Sequence, residues 1–321
     1  MTKVGIPKSL FYYYYYPLWS TFFKELCCEV ITSPNTNKNI VNNGIKATVD
    51  EVCFPVKTYF GHVHNLLNKV DYIFCPRIVS IELKAFICPK FMGLPDMVAT
   101  GFHKEDIKIL APIIKIDKKN NTQKRALINL ALSMGYTSKQ ADKSWESADK
   151  TQKYYEVLIN SGVLPTDAFQ SFESGLKEEE VKSQRIAVLG HGYNLYDDYL
   201  SMNIIHKVNS HGYGVITPEM ISNESIEDCC KTLRKKIFWT LGKRIIGSTL
   251  HLIQTGKIKG VIYIASFGCG PDSLIGHLTE SAIRKSKIPF MLLTVDEHTG
   301  EAGINTRLEA FLDMLQRRDA V

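Results

Sequence analysis

Short apolar runs rich in β-branched residues recur along this chain, and most end at a glycine, a proline or a cysteine. The stretches 4–7, 28–34, 70–78, 107–116, 185–190, 213–217, 261–266 and 289–295 read as strands, most of them buried, because a strand covered on both faces shows a continuous apolar run instead of alternation. Between them lie stretches of helical period, including 9–26, 61–67, 199–211, 273–286 and 305–317. Strands that alternate with helices predict an α/β fold built on parallel sheets. From residue 118 to 180 the composition turns to Lys, Gln, Ser, Asp and Glu around two helical patterns, 122–134 and 137–156, and ends in a charged stretch at 177–182. The chain therefore divides into an N-terminal αβ unit (1–117), a helical excursion or lid (118–182) and a C-terminal αβ unit (183–321), the two αβ units being Rossmann-like.

At 321 residues the chain is long enough for two cores. A hydrophobic content of 45% against 22% charged residues places it among folded globular proteins. The net charge of +6 is spread along helical faces and not gathered in one patch, which excludes a nucleic-acid binder. The first residues lead directly into a strand without a signal-peptide core, and no run reaches the ~18 apolar residues of a membrane span, so a cytoplasmic protein is expected. In that compartment the eight cysteines stand for thiols or metal ligands and not for a disulfide framework.

Four of these cysteines are followed within two residues by proline: Cys53-Phe-Pro55, Cys75-Pro76, Cys88-Pro89 and Cys269-Gly-Pro271. Proline stiffens the chain and removes a competing backbone donor, which suits a ligand loop. Cys269 carries the strongest signal. It stands where the strand 261–266 turns sharply into a helix, the place where open α/β sheets bind ligands, and a helix N-terminus stabilises a thiolate. Cys75 also closes a strand and is its rival as a ligand. Cys27, Cys28, Cys229 and Cys230 are assigned to packing, and His62 and His64 to core or surface positions. Residues 190–192 offer Gly-x-Gly, but the third glycine of a dinucleotide fingerprint is missing. The run Tyr12–Tyr16 must cover all sides of a helix, so some of it is buried and some is free to meet a partner. The polar, glycine-containing stretch 296–303 follows a strand and is a candidate functional loop.

Five stretches together resemble the activase-related proteins of the 2-hydroxyacyl-CoA dehydratase group. They are Val49-Asp-Glu-Val-Cys-Phe-Pro-Val-Lys57, Ile87-Cys-Pro-Lys-Phe-Met-Gly-Leu-Pro-Asp96, Gly190-His-Gly-Tyr-Asn-Leu-Tyr-Asp197, Phe267-Gly-Cys-Gly-Pro-Asp272 and Asp296-Glu-His-Thr-Gly-Glu-Ala-Gly303. That group is similar to the dehydratase D-component and to double-cubane-cluster proteins. The resemblance implies an oxygen-sensitive iron-sulfur protein whose [4Fe-4S] or larger double-cubane cluster is held by Cys53, Cys88 and Cys269 in a cleft at the interface of the two αβ units. It also implies a separate ATP-dependent activase as electron donor and a homodimer or related subunit. Taken alone, three thiolates suit iron-sulfur clusters and zinc alike. The chain departs from the group's pattern in carrying Cys75, an additional possible ligand, and it lacks the ATPase signature of the activase.

Three functions follow from the resemblance. The protein receives low-potential electrons and uses the cluster for reduction or electron transfer; or it is a dehydratase subunit acting on a 2-hydroxyacyl-CoA thioester; or it is a non-catalytic cluster carrier. A metal-free phosphate-binding enzyme rests only on the helix starts near Gly190 and Pro271.

Overall fold

The computed structural model describes residues 1–116, 122–174 and 183–319. The charged stretch 177–182 and the 117/118 boundary lie outside the described residues. The chain forms two compact units, one of residues 1–52, 56–158 and 238–240, the other of 53–55, 159–237 and 241–321. The two helices after residue 121 thus group with the first unit.

The first unit runs β1 (Lys3–Ile6), α1 (Tyr12–Glu25), β2 (Glu29–Thr32), α2 (Lys38–Lys46), α3 (Phe54–Leu66), β3 (Tyr72–Phe74), β4 (Arg77–Ser80), α4 (Pro89–Met92), α5 (Leu94–Gly101), β5 (Ile109–Leu110), β6 (Ile113–Lys115), α6 (Thr122–Ser133) and α7 (Ser138–Asn160). The second runs α8 (Pro165–Ser174), β7 (Arg185–Gly190), α9 (Gly192–Leu195), α10 (Ile204–Ser210), β8 (Gly214–Ile216), α11 (Asn223–Cys230), α12 (Thr240–Thr255), β9 (Gly260–Ser266), α13 (Gly270–Lys285), β10 (Phe290–Val295) and α14 (Glu301–Asp319). Every pairing between these strands is parallel. The main sheets have the orders β2-β1-β3-β5 and β10-β9-β7-β8. Numbered within its own four-stranded sheet, each reads 2-1-3-4, so both units are the α/β, Rossmann-like folds the alternation predicts.

The strand over 70–78, which the sequence already shows broken at Cys75-Pro76-Arg77, and the single strand read over 107–116 are each split in two. Pro76 separates β3 from β4 and Pro112 separates β5 from β6. Neither proline has an N–H for the ladder, yet pairing resumes on both sides: Cys75 N–H donates to Leu110 O at 2.9 Å and Arg77 N–H to Pro112 O at 3.0 Å.

Proline also shapes α1. Pro17 lies inside that helix, so it cannot bond the carbonyl four residues back, that of Tyr13. The Tyr155 hydroxyl of α7 donates to that carbonyl at 2.5 Å, and Gln152 Nε2 to Tyr14 O at 3.0 Å. The excursion helix is thereby fastened to a defect in its neighbour. In the tyrosine run, Tyr12 and Tyr13 are buried and Tyr14 to Tyr16 half-buried, with Tyr12 and Tyr16 stacked at 4.4 Å.

The α2 and α3 backbones touch through Gly44 and Gly61. A Cβ on Gly61 would lie 1.9 Å from Ile40 O, and one on Gly44 1.9 Å from Lys57 O. In α3 His62 is wholly buried, its two ring nitrogens bonded to Ser33 Oγ at 2.8 Å and Thr36 Oγ1 at 2.9 Å. Burial, with Lys8 adding repulsion, pulls its pKa from the ordinary 6.5 to about 3. It is a core histidine, as its sequence context indicated. Among the described residues no helix is long and apolar enough to cross a membrane.

Two outcomes follow. Gly61→Ala should cost roughly 3 kcal/mol in urea denaturation, the upper end for overpacking, because the obstacle is backbone and not a movable side chain. His62 stays neutral in the native state while its unfolded counterpart takes up a proton below pH 6.5, so its contribution is full above 6.5 and falls by about 1.4 kcal/mol per pH unit as pH drops toward 3. The stability gap between wild type and His62→Gln should therefore narrow between pH 7 and pH 4.5; a constant gap would contradict a neutral buried ring.

Candidate metal centre

In an open parallel sheet the crevice opens beyond the carboxyl ends of the strands where the order reverses, here between β7 and β9 of the second unit. β7 ends in Gly190, at φ +146°, where a Cβ would meet Ile264 O of β9 at 2.5 Å. Glycine lets the two strand ends stay close and turns the chain so that the next residue, His191, is buried at 4% exposure.

β9 ends at Ser266, and Gly268 at φ +74° turns the chain back into α13. That helix begins at Gly270, three residues before the start read from the sequence, so Cys269 is its N-cap residue, with proline in the first turn and its own side chain making no capping hydrogen bond. Cys269 is 9% exposed. Asp272, also in the first turn, is 3% exposed and gathers three donors: Tyr263 O–H at 3.0 Å, Ser266 N–H at 3.4 Å and His191 Nε2 at 3.2 Å. Burial first, and then the Asp272 carboxylate, push the Tyr263 phenol well above its usual range, which keeps it a proton donor in this network. Ser266 Oγ donates to Asn194 Oδ1 at 3.0 Å, and the His191 ring stacks on Tyr193 with centroids 5.0 Å apart. One ligating atom each of His191, Cys269 and Asp272 lies within 4.8 Å of the other two.

Cys53 and Cys88 share the setting of Cys269. α3 begins at Phe54 and not near Gly61, so Cys53 directly precedes it, with Pro55 in the first turn. The segment 53–55 groups with the second unit, and the Cβ direction of Gly268 reaches to 3.8 Å from the Cys53 Cα. Cys88 is the N-cap of α4, with Pro89 at its first position, and is half-buried in the first unit. Behind it, Arg77 grips both oxygens of Asp96 at 2.7 Å and donates to Met92 O at 2.6 Å, which ties α4 and α5 to β4. This ion pair holds the Asp96 carboxyl below its ordinary value.

Cys75 differs from these three. It follows β3, is wholly buried, and its thiol pKa is pushed up to about 12, mainly by burial, while a hydrogen bond with Tyr59 works the other way. No helix starts there, and the surroundings favour a neutral thiol. All eight cysteines fall among the described residues and none is disulfide-bonded. Cys28 contacts the Tyr136 hydroxyl at 3.3 Å, while Cys229 and Cys230 pack on α11 against Gln254 and Lys243. In the loop 296–303, Asp296 Oδ1 accepts from His298 N–H at 2.9 Å and Thr299 Oγ1 at 2.8 Å, a self-satisfied turn ahead of α14.

The sequence reading singled out Cys269 but passed over His191 and Asp272 as a pair. A buried strand that ends in Gly-His, paired to one that ends in a cysteine, was the available signal; the pairing itself is visible only in the fold.

Residues 3–221 of 321 match the family described as the CoA enzyme activase uncharacterised domain. The chain belongs to that family. Residues 175–315 match the 2-hydroxyglutaryl-CoA dehydratase D-component, a stretch that holds all of β7, β9 and α13. No curated protein matches the chain. Both matches fall in the 2-hydroxyacyl-CoA dehydratase group to which the five motifs pointed.

An iron-sulfur cluster needs thiolates at positions that favour the anion, and the residues present fit it. Cys53, Cys88 and Cys269 each sit at a helix start, where unpaired N–H groups favour negative sulfur. The buried polar groups around Cys269 give its surroundings the hydrogen-bonding character of a ligand site, in contrast to Cys75, whose complete burial favours the neutral thiol.

The contrast between thiols can be measured on the folded, metal-free protein at pH 8 by alkylation and peptide mapping. Exposed Cys27 should be modified within minutes and Cys75 only upon unfolding. Rapid labelling of Cys75 in native protein would mean that its enclosure is wrong.

Proposed function

We propose that this protein is an iron-sulfur protein that receives low-potential electrons from a separate ATP-dependent activase and uses a cysteine-ligated cluster for reduction or electron transfer. Membership of the activase-related family and the D-component match support the reading. The observation that carries it is the shared setting of Cys53, Cys88 and Cys269: each directly precedes a helix with proline in its first turn, whereas Cys75 does not. These three residues would hold the cluster, and Cys75 would remain a core thiol. When bound, a cluster of this kind stores an electron at low potential, and an iron without a thiolate ligand can act as a Lewis acid.

The chain's own contribution is placement. Gly268 and Pro271 fix the turn that presents Cys269, and Asp272 holds the groups packed beside it. A second reading, a dehydratase subunit acting on a 2-hydroxyacyl-CoA thioester, is favoured by the D-component match over the half of the chain that carries Cys269. We assign the protein to the cytoplasm and to a homodimer or a pair with a related subunit. Tyr14 to Tyr16 are the half-buried aromatics such an interface would use.

Protein purified under strict exclusion of oxygen should be brown and carry about four irons per chain with acid-labile sulfide, or twice that for a double cubane. Alanine at Cys53, Cys88 or Cys269 should remove most of the iron, while alanine at Cys27, Cys75 or Cys229 should leave it. A colourless preparation with stoichiometric zinc would falsify the cluster.

A further inference from the structure

We propose that the first unit holds a second binding site, the cavity at the crevice between β1 and β3, and that its ligand is a small, neutral, apolar molecule whose one hydrogen-bond acceptor meets the indole N–H of Trp19.

The place of the cavity is the first ground. The strand order of the first sheet reverses between β1 and β3, so its crevice opens beyond their carboxyl ends, where open α/β sheets bind small molecules. Ile6, Pro7 and Leu10 line the cavity from the end of β1, and Phe74 and Pro76 from the end of β3. Every residue in its wall belongs to the first unit. It bounds no more than about 320 Å³, its mouth included, which is room for one ring-sized molecule and not for a peptide.

The wall sets the class of ligand. None of the lining residues is charged, and Lys8, the cation of the same loop, is engaged with Asn35 and the Tyr12 ring. An anion in the cavity would lose its hydration and gain no countercharge, which excludes carboxylates and phosphates. The Tyr59 hydroxyl, also in the wall, shares a hydrogen bond with Cys75. Trp19 is different: its side chain borders the cavity at 3% exposure, and its indole N–H is buried with no partner among the described residues. Folded proteins rarely leave such a group unmet, and an indole N–H can only donate, so the complementary ligand brings an acceptor.

Leu10 gives a further sign. It is held at φ +54°, where a leucine is strained, and strain of this kind gathers at ligand-binding segments. Phe91, in the same wall, lies on α4, the short helix that Cys88 caps. A molecule in the cavity therefore abuts the element that carries one of the three helix-start cysteines.

The experiment uses full-length protein, purified anaerobically and 15N-labelled at its three tryptophans, and follows the indole N–H signals by nuclear magnetic resonance while cyclohexanone is added. One signal should move downfield and saturate, and it should be the one missing from Trp19→Phe; if that variant does not fold, Trp145→Phe and Trp239→Phe assign the signal by elimination. Cyclohexane, which has no acceptor, should compete with the ketone at about fivefold lower affinity, the worth of one neutral hydrogen bond. Cyclohexanecarboxylate should not compete. No saturable shift of the Trp19 signal, an equal drift of all three signals, or carboxylate binding as tight as the ketone's overturns the inference. Iron content plays no part in this readout, so its failure leaves the cluster reading standing, and loss of the cluster reading leaves this site standing.

Discussion

A parallel sheet returns the chain to the same edge after every crossover, so the loops that follow its strands collect at one end, and the order of the strands decides where they part. Both units have the order 2-1-3-4, which opens a crevice between their first and third strands. In the second unit this constraint brings the ends of β7 and β9 together across a long stretch of sequence, and only then are His191 and Cys269 neighbours. The apolar cores beneath, such as the cluster of Ala187, Leu189, Val261, Tyr263 and Ile275, hold the strands at that spacing. A polar network above such a core is stable only because its members satisfy one another; Asp272 alone takes donors from a side-chain hydroxyl, a main-chain amide and an imidazole.

The prolines act on the same principle, by deciding which backbone donors exist. At Pro55, Pro89 and Pro271 they occupy helix first turns, where the missing N–H would have been unpaired anyway, and a cysteine directly precedes each of these helices. At Pro76 and Pro112 they interrupt strands in register, so β4 and β6 pair as a separate ribbon beyond β3 and β5. At Pro17 the missing donor releases a carbonyl that Tyr155 takes up. One residue type thus has three effects, set by where the ladder would have run.

Much of this was legible before the fold was known. Continuous apolar runs marked β7, β9 and β10, and the Cys-x-Pro spacing marked the turn at Cys269, because strand burial and helix starts are local. The split at Pro112 was missed: an isoleucine-rich stretch looks like one strand until its partner's break at Pro76 is seen beside it. The start of α3 was also placed too late, since Phe54-Pro-Val-Lys57 shows no amphipathic period of its own. The place of His191 beside Cys269 and Asp272 was illegible because both lie far away in sequence, and nothing within its own stretch sets it apart from His62, which burial turns into a core residue.

The first unit shows what its shared topology does not determine. Its own crevice, between β1 and β3, is an apolar cavity lined by Ile6, Pro7, Leu10, Trp19, Phe74 and Pro76, with the indole N–H of Trp19 buried and unbonded. At the corresponding place in the second unit stand an imidazole, a carboxylate and a thiol. Charged and metal-ligating groups are costly to bury unless they pair, so they persist only where a network satisfies them, while the wholly buried thiol of Cys75 is driven toward its neutral form despite its hydrogen bond with Tyr59. Strand order therefore locates a crevice in each unit, and the residues at the strand ends decide whether it can hold an anion-stabilised sulfur or only apolar matter.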